Sequence, residues 1–235
     1  MQAVVPAAGR GTRLRPLTEE KPKALVEIDG RPILSHCFGS LLDAGIEELI
    51  VVVGYRKEAL IDHYGDSYEG VPITYAHQPE PIGLADAVSR AEPHVEDSFV
   101  VLNGDNVLHA DLQSPIDRFR ADDPAALLVT ERASTEEART TGVVETDANG
   151  DVVELLEKPD EPPTNLVTTG FYAFAPAIFR ACRRIEPSDR GEYELADAIN
   201  RLIERGTRVE SVRLCGERVN VNTPVDVERA ERLVG

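Results

Sequence analysis

Lysine is almost missing from this sequence. Lys21, Lys23, Lys57 and Lys158 are the only four among 25 basic residues, which leaves 21 arginines, and 42 acidic residues bring the formal net charge to −17. So acidic a surface repels the backbone of duplex DNA and an anionic bilayer, which excludes nucleic acid and membrane as expected partners. It suits a high-salt medium instead, where self-repulsion is screened. Cysteine is also sparse. Cys37, Cys182 and Cys215 lie far apart with no C-x-x-C pair, excluding a disulfide framework and a zinc site and leaving buried structural thiols as the expectation. The five histidines show no ligand spacing. No apolar run approaches the roughly 18 residues of a membrane helix, and no charged-then-apolar leader opens the chain, so a soluble cytoplasmic protein is expected. Glycine/serine-rich linkers and repeats are absent too. With 235 residues and 42% hydrophobic content, one sizeable α/β domain is expected.

Two common phosphate-binding motifs are missing. No G-x-x-x-x-G-K-[ST] string occurs, and G-x-G-x-x-G fails because Leu14 stands where its third glycine belongs. The chain nevertheless carries a phosphate-seeking stretch. Gln2-Ala3-Val4-Val5-Pro6 has the pattern of a buried strand, and it delivers Ala7-Ala8-Gly9-Arg10-Gly11-Thr12-Arg13-Leu14-Arg15-Pro16-Leu17-Thr18, then Lys21-Pro22-Lys23. Gly9 and Gly11 let a ligand approach backbone N–H groups, while Arg13, Arg15, Lys21 and Lys23 concentrate positive charge in an otherwise acidic protein. The prolines stiffen the segment and reduce the entropy lost on binding.

Further along, Ile33, Leu34, Phe38, Leu41 and Leu42 recur at helical spacing. Leu49–Gly54 and Phe99–Leu102 are continuous apolar runs expected of parallel strands covered on both faces. Helices are expected over Arg56–Tyr64 and Leu84–Ala91, with a strand at Ile73–Ala76 between them. This alternation predicts a doubly wound sheet with ligands outside the carboxyl ends of its strands. Ala125–Val129, Gly142–Glu145, Val152–Leu156 and Val167–Phe174 predict an antiparallel or mixed addition. Helices are expected over Pro176–Arg183 and Glu194–Glu204, then a strand at Val209–Leu214 and a closing helix at Pro224–Leu233. A functional boundary is expected near Leu112–Pro124, dividing a nucleotide-binding half (residues 1–112) from a sugar-phosphate half with the closing helix (residues 113–235).

Asp105 follows an apolar strand in Leu102-Asn103-Gly104-Asp105-Asn106, a position suited either to a turn cap or to a magnesium ligand. Gln78, ahead of Gly83 and a helix, carries both an amide donor and an acceptor, sufficient to read N3–H and a carbonyl of uracil or thymine. Glu157 and Lys158 offer a hydroxyl acceptor and a compact cation.

The stretch from Gly9 to Lys23 closely resembles the signature G-x-G-T-R-L-x-P-x-T-x-x-x-P-K of the sugar-1-phosphate nucleotidyltransferases, and the likeness extends from Met1 to about Leu233. The resemblance implies a Rossmann-like doubly wound mixed sheet of the nucleotidyltransferase, glycosyltransferase-A-like type, one domain with an added antiparallel sugar-binding lobe. It implies Mg²⁺-dependent in-line transfer of a nucleoside monophosphate from UTP or dTTP to a hexose 1-phosphate, glucose 1-phosphate being the expected acceptor, with release of pyrophosphate. Ala8, Gly9, Gly11, Thr12, Arg13, Gln78 and Gly83 would hold the nucleotide. Gly142, Glu157, Lys158, Thr169 and Arg190 would hold the sugar phosphate. Arg13, Lys23 and Lys158 would act in catalysis, and Asp105 would ligate the metal.

One departure stands out. The second metal ligand of the family is an aspartate, and here the corresponding string is Asn220-Val221-Asn222-Thr223-Pro224, which leaves Asn220 or Asn222 for that place. The resemblance also implies a homo-oligomer, and it admits a non-catalytic relative that binds nucleotide sugars for regulation. A nicotinamide dehydrogenase is excluded by Leu14.

Overall fold

The computed structural model describes all 235 residues. The chain runs β1 (Gln2–Pro6), β2 (Glu27–Ile28), β3 (Arg31–Pro32), α1 (Ile33–Asp43), β4 (Glu48–Val53), α2 (Lys57–Tyr64), β5 (Ser67–Tyr68), β6 (Val71–His77), α3 (Leu84–Arg90), β7 (Phe99–Leu102) and β8 (Asn106–Asp111). It continues with α4 (Gln113–Asp122), β9 (Ala126–Arg132), α5 (Thr135–Ala138), β10 (Gly142–Thr146), β11 (Val152–Glu157), β12 (Leu166–Phe174), α6 (Ala177–Cys182), α7 (Leu195–Glu204), β13 (Val209–Arg213), β14 (Cys215–Asn220) and α8 (Pro224–Val234).

At the centre, β1 pairs in parallel with β4 and β7, and β4 with β6. Side-chain alternation then sorts the core. Val4, Ile50 and Val52 face one side with residues of α3, α6 and α7, while Ala3, Val5, Leu49, Val51 and Val53 face the other with α1, α2 and α4. Both faces are covered, which is why these strands are apolar without interruption. The antiparallel strands expected in the second half are hydrogen-bonded to the first. β12 pairs antiparallel with β7 and β9, and β10 joins it to β11. The added lobe therefore continues the same ten-stranded sheet.

Helix α4 fills the segment where the sequence suggests only a boundary, burying Ile116 and Phe119 on its inner face. A two-stranded ribbon of β8 and β14 was likewise not anticipated. Its β14 strand turns Cys215 to solvent, so that thiol is exposed, contrary to expectation, while Cys37 and Cys182 are buried. The ribbon positions the site. Leu14 of the glycine-rich loop, Val107 of β8, Val219 and Val221 around the end of β14, and Ala230 of α8 pack into one small buried cluster. This cluster ties the loop to the C-terminal segment; truncating a buried leucine such as Leu14 to alanine typically costs about 2–5 kcal/mol. No helix is long and apolar enough to cross a membrane.

Candidate active site

A cleft of about 880 Å³ opens where the parallel strands end, with Ala7, Gln78 and Asn103 following β1, β6 and β7. The glycine-rich loop forms one wall. Ala7 N–H donates to Val52 O at 2.8 Å, holding the start of the loop on the sheet. Gly11 has φ +62°, and a Cβ there would lie 2.8 Å from Lys23 Cβ, so only glycine lets the Lys23 segment pack against the loop. Thr18 Oγ1 donates to Gly11 O at 2.7 Å, and Thr12–Leu14 forms a single 3-10 turn. The loop is thus braced by its own sequence. Arg15 and Lys21, part of the same cationic run, lie outside the cleft wall.

Lys23 Nζ donates to Asp105 Oδ2 at 2.7 Å and to Asn222 Oδ1 at 2.9 Å. Arg13 Nη2 donates to that same Asn222 oxygen at 2.8 Å. The amide oxygen of Asn222 is therefore committed to two cations, a poor setting for a divalent ion. Its backbone is held by the capping box of α8, in which Asp226 Oδ2 accepts from Asn222 N, Thr223 N and Thr223 Oγ1. By contrast, Asp105 Oδ1 and Asn220 Oδ1 are buried without hydrogen-bond partners. Unpaired buried oxygens of this kind need a ligand. Their backbones are neighbours, because Asn220 ends β14 opposite Asn106 of β8, with Val221 N–H donating to Asp105 O at 2.9 Å. No cluster of three or more His, Cys, Asp or Glu side chains is present, so a hard cation here would rely on one carboxylate, an amide oxygen, water and substrate.

Along the same edge of the sheet, at the end of β6, Gln78 is 4% exposed. Its Nε2 donates to Gly83 O at 3.1 Å and to Asp86 Oδ2 at 2.9 Å. The structure also gives Gly83 a packing role. A Cβ at Gly83, which has φ +122°, would lie 2.3 Å from Tyr193 O and 2.5 Å from Tyr193 N. That backbone is sealed to the loop by Tyr193 N–H donating to Ile82 O at 2.7 Å and Ala85 N–H to Tyr193 O at 3.0 Å.

On the sugar-side wall, Gly142 pairs with Glu157 across β10 and β11. A side chain at Gly142 would crowd Thr168 Oγ1 at 3.0 Å and Glu157 Oε2 at 3.3 Å. Burial raises the Glu157 carboxyl above its ordinary value, opposed by Lys158, whose Nζ lies 3.1 Å from Glu157 Oε1. Lys158 itself adopts φ +51°, a strained conformation of the kind found at functional positions. Thr169 borders the cleft, yet its hydroxyl donates to Val129 O at 2.9 Å. Thr168 also lines the cleft, its hydroxyl on the Gly142 side. Arg190 is the one expected site residue outside the cleft wall; its guanidinium donates to Glu194 Oε1 at 2.9 Å, behind a carboxylate that does border it. Arg218 and Glu131, paired at 2.6 Å, also line the wall and carry no spacing motif that would have singled them out.

A braced cationic loop facing a strand-end carboxylate across the mouth of a doubly wound sheet defines an α/β protein built to hold a polyanionic ligand against a second group. Comparison with known proteins narrows that class: the chain belongs to the nucleotidyl transferase family, whose sequence pattern matches residues 2–217. It is similar to the UTP–glucose-1-phosphate uridylyltransferase AglF of Haloferax volcanii, with 52% identity over 99% of this chain and 96% of that protein. It is 36% identical to a glucose-1-phosphate thymidylyltransferase of Streptomyces griseus, over 100% of this chain and 66% of that longer protein. A UDP-glucose pyrophosphorylase crystallised with UDP-glucose superimposes with a TM-score of 0.90 and 24% identity, over 98% of this chain and 97% of that one, a likeness of fold.

Proposed function

We propose that this enzyme transfers UMP from UTP to glucose 1-phosphate, giving UDP-glucose and pyrophosphate. The single observation that carries the reading is the contact of Lys23, from the cationic loop, with Asp105, from the end of β7, at 2.7 Å in a shared cleft. Similarity to a uridylyltransferase along nearly its whole length favours UTP over dTTP. In this reading residues 1–112 carry most contacts to the nucleotide, residues 113–235 carry those to the sugar phosphate, and the Asn220–Asn222 segment returns to the phosphate end.

The attacking oxygen of a sugar phosphate is already anionic at neutral pH, so no general base is required. It displaces pyrophosphate at the α-phosphorus as one P–O bond forms and another breaks. Catalysis is then positioning and charge stabilisation. Arg13 and Lys23, held at a fixed spacing by Asn222, meet the triphosphate and the departing pyrophosphate. Lys158 aims the sugar phosphate, Glu157 accepts from sugar hydroxyls, and Gln78 reads the base. Asp105 Oδ1 and Asn220 Oδ1 fit a magnesium ion, which when bound would neutralise phosphate charge.

The test is pyrophosphate release with Mg²⁺ in concentrated KCl, across four NTPs and a panel of sugar 1-phosphates. UTP with glucose 1-phosphate should turn over fastest. Preference for dTTP or another sugar would replace those names and keep the reaction class. Silence across the panel, with UDP-glucose still bound, would overturn the reading in favour of a non-catalytic sensor.

A further inference from the structure

Gln78 matters for which of its amide atoms faces the cleft. Nε2 lies between Gly83 O at 3.1 Å and Asp86 Oδ2 at 2.9 Å. A backbone carbonyl and a carboxylate can only accept, so a flipped amide would set Oε1 against two acceptors, one of them charged. Asp86 is itself fixed. It sits in the first turn of α3, its side chain is 15% exposed, and Arg90 one turn later donates Nη2 to Oδ1 at 2.9 Å and Nε to Oδ2 at 3.3 Å. What remains for the cleft is Oε1. It accepts no hydrogen bond within the protein, is not among the sealed unpaired oxygens, and belongs to a residue that lines the cleft.

We infer that Asp86 is a positioning residue: by holding Nε2 it presents Gln78 to the nucleobase as an acceptor only, which selects a pyrimidine with N3–H and rejects one with a lone pair there. Uracil and thymine satisfy Oε1, whereas cytosine places its unprotonated N3 against it and leaves both atoms unpaired in a desolvated site. The inference rests on the reading of Gln78 as facing the base.

Asp86→Asn is nearly isosteric yet can turn an NH₂ group toward Gln78, and Asp86→Ala removes the hold altogether. The readout is the ratio of kcat/KM for UTP over CTP with glucose 1-phosphate, beside the ratio of Kd values for CMP over UMP from calorimetry. The wild-type protein should favour the uracil nucleotide by about a hundredfold or more, as buried sites that hydrogen-bond a particular group do. Asp86→Asn should narrow both ratios by about tenfold, the scale of one mispaired buried hydrogen bond. A purely structural role for Asp86 would weaken uracil and cytosine nucleotides in parallel, and unchanged ratios in both variants would overturn the inference. Equal binding of UMP and CMP to the wild-type protein would overturn it as well. A protein that releases no pyrophosphate but still prefers UMP in an Asp86-dependent way would refute the proposed reaction and leave this inference standing.

Discussion

Asn222 Oδ1 accepts a 2.8 Å hydrogen bond from Arg13 Nη2, a residue 209 positions earlier in the chain. The same oxygen accepts from Lys23 at 2.9 Å, so one neutral atom sets the distance between two cations without cancelling either charge. A carboxylate in its place would draw both side chains in and neutralise part of the field that a triphosphate requires. Asn222→Ala should therefore lower kcat by about 10- to 100-fold, the scale expected when charged groups are misplaced by about an ångström, with little change in the Mg²⁺ concentration for half-maximal rate. Asn222→Asp should raise KM for UTP. A magnesium titration that shifts in Asn222→Ala would instead assign the asparagine to the metal.

Asn220 is expected to behave in the opposite way. Its Oδ1 is buried and unpaired, as is Asp105 Oδ1 on the adjoining segment. A carboxylate is a stronger donor to a hard cation than an amide. Asn220→Asp should thus reduce the magnesium requirement by about tenfold, Asn220→Ala should increase it similarly, and Asp105→Asn should nearly abolish activity. Identical metal titrations for the wild type and both Asn220 variants would remove Asn220 from the site.

Gly83→Ala should destabilise the fold. The new Cβ would fall 2.3 Å from Tyr193 O, and φ at this position is +122°. Strain and overpacking each cost about 1–3 kcal/mol, so a loss of about 2–5 kcal/mol is expected in urea unfolding, along with the hydrogen bonds that join Tyr193 to the loop. A loss below about 0.5 kcal/mol, the usual range for neutral surface changes, would show that the two segments separate freely.

The sequence made visible those parts of the fold whose signal is local. The uninterrupted apolar runs of β1, β4 and β7 are covered on both faces, and the stretch from Gly9 to Lys23 carries its bracing contacts within itself. What it hid depends on distant pairing. The β8–β14 ribbon buries only a thin stripe, Val107 against Val219 on one face and Leu108 on the other, and turns Cys215 and Glu217 outward, so neither strand alternates long enough to register. Whether Asn220 or Asn222 carries the free oxygen depends on where Arg13 and Lys23 reach. Strand parity could not have chosen between Thr168 and Thr169, because the register shifts between Thr168 and Tyr172, where Gly170 has φ +81°. Arg218 offered no local signal either, since its partner Glu131 lies on a different strand.

Salt should stabilise the protein. The 42 acidic residues leave a net charge of −17 against 25 basic ones, and exposed ion pairs contribute only about 0–1 kcal/mol each. The screening length falls from about 30 Å at 0.01 M to about 3 Å at 1 M, so added KCl removes more repulsion than attraction. The melting temperature should climb by several degrees over that range, by about 2–4 °C for each 1 kcal/mol gained in a chain of this size. A flat or falling curve would contradict adaptation to high salt.

The pH dependence should single out Glu157, the buried carboxyl whose value burial raises and Lys158 only partly restores. Because the folded-state value lies above the unfolded one, the group contributes its full stabilisation below the ordinary carboxylate range near about 4.3, and that contribution is lost as pH rises through the raised value. Above that raised value the ionised side chain is held at a cost to stability. Glu157→Gln should therefore be at least as stable as the wild type there, even though it loses a charged acceptor for the sugar. Activity should move the other way: as pH falls, Glu157 takes up its proton earlier than an exposed glutamate would, and KM for glucose 1-phosphate should rise. The substrate phosphate, with its own ionisation near about 6, contributes to the profile of both proteins. Glu157→Gln should retain only that substrate component from an already elevated KM. Parallel KM profiles for the two proteins would show that Glu157 does not meet the sugar as a carboxylate.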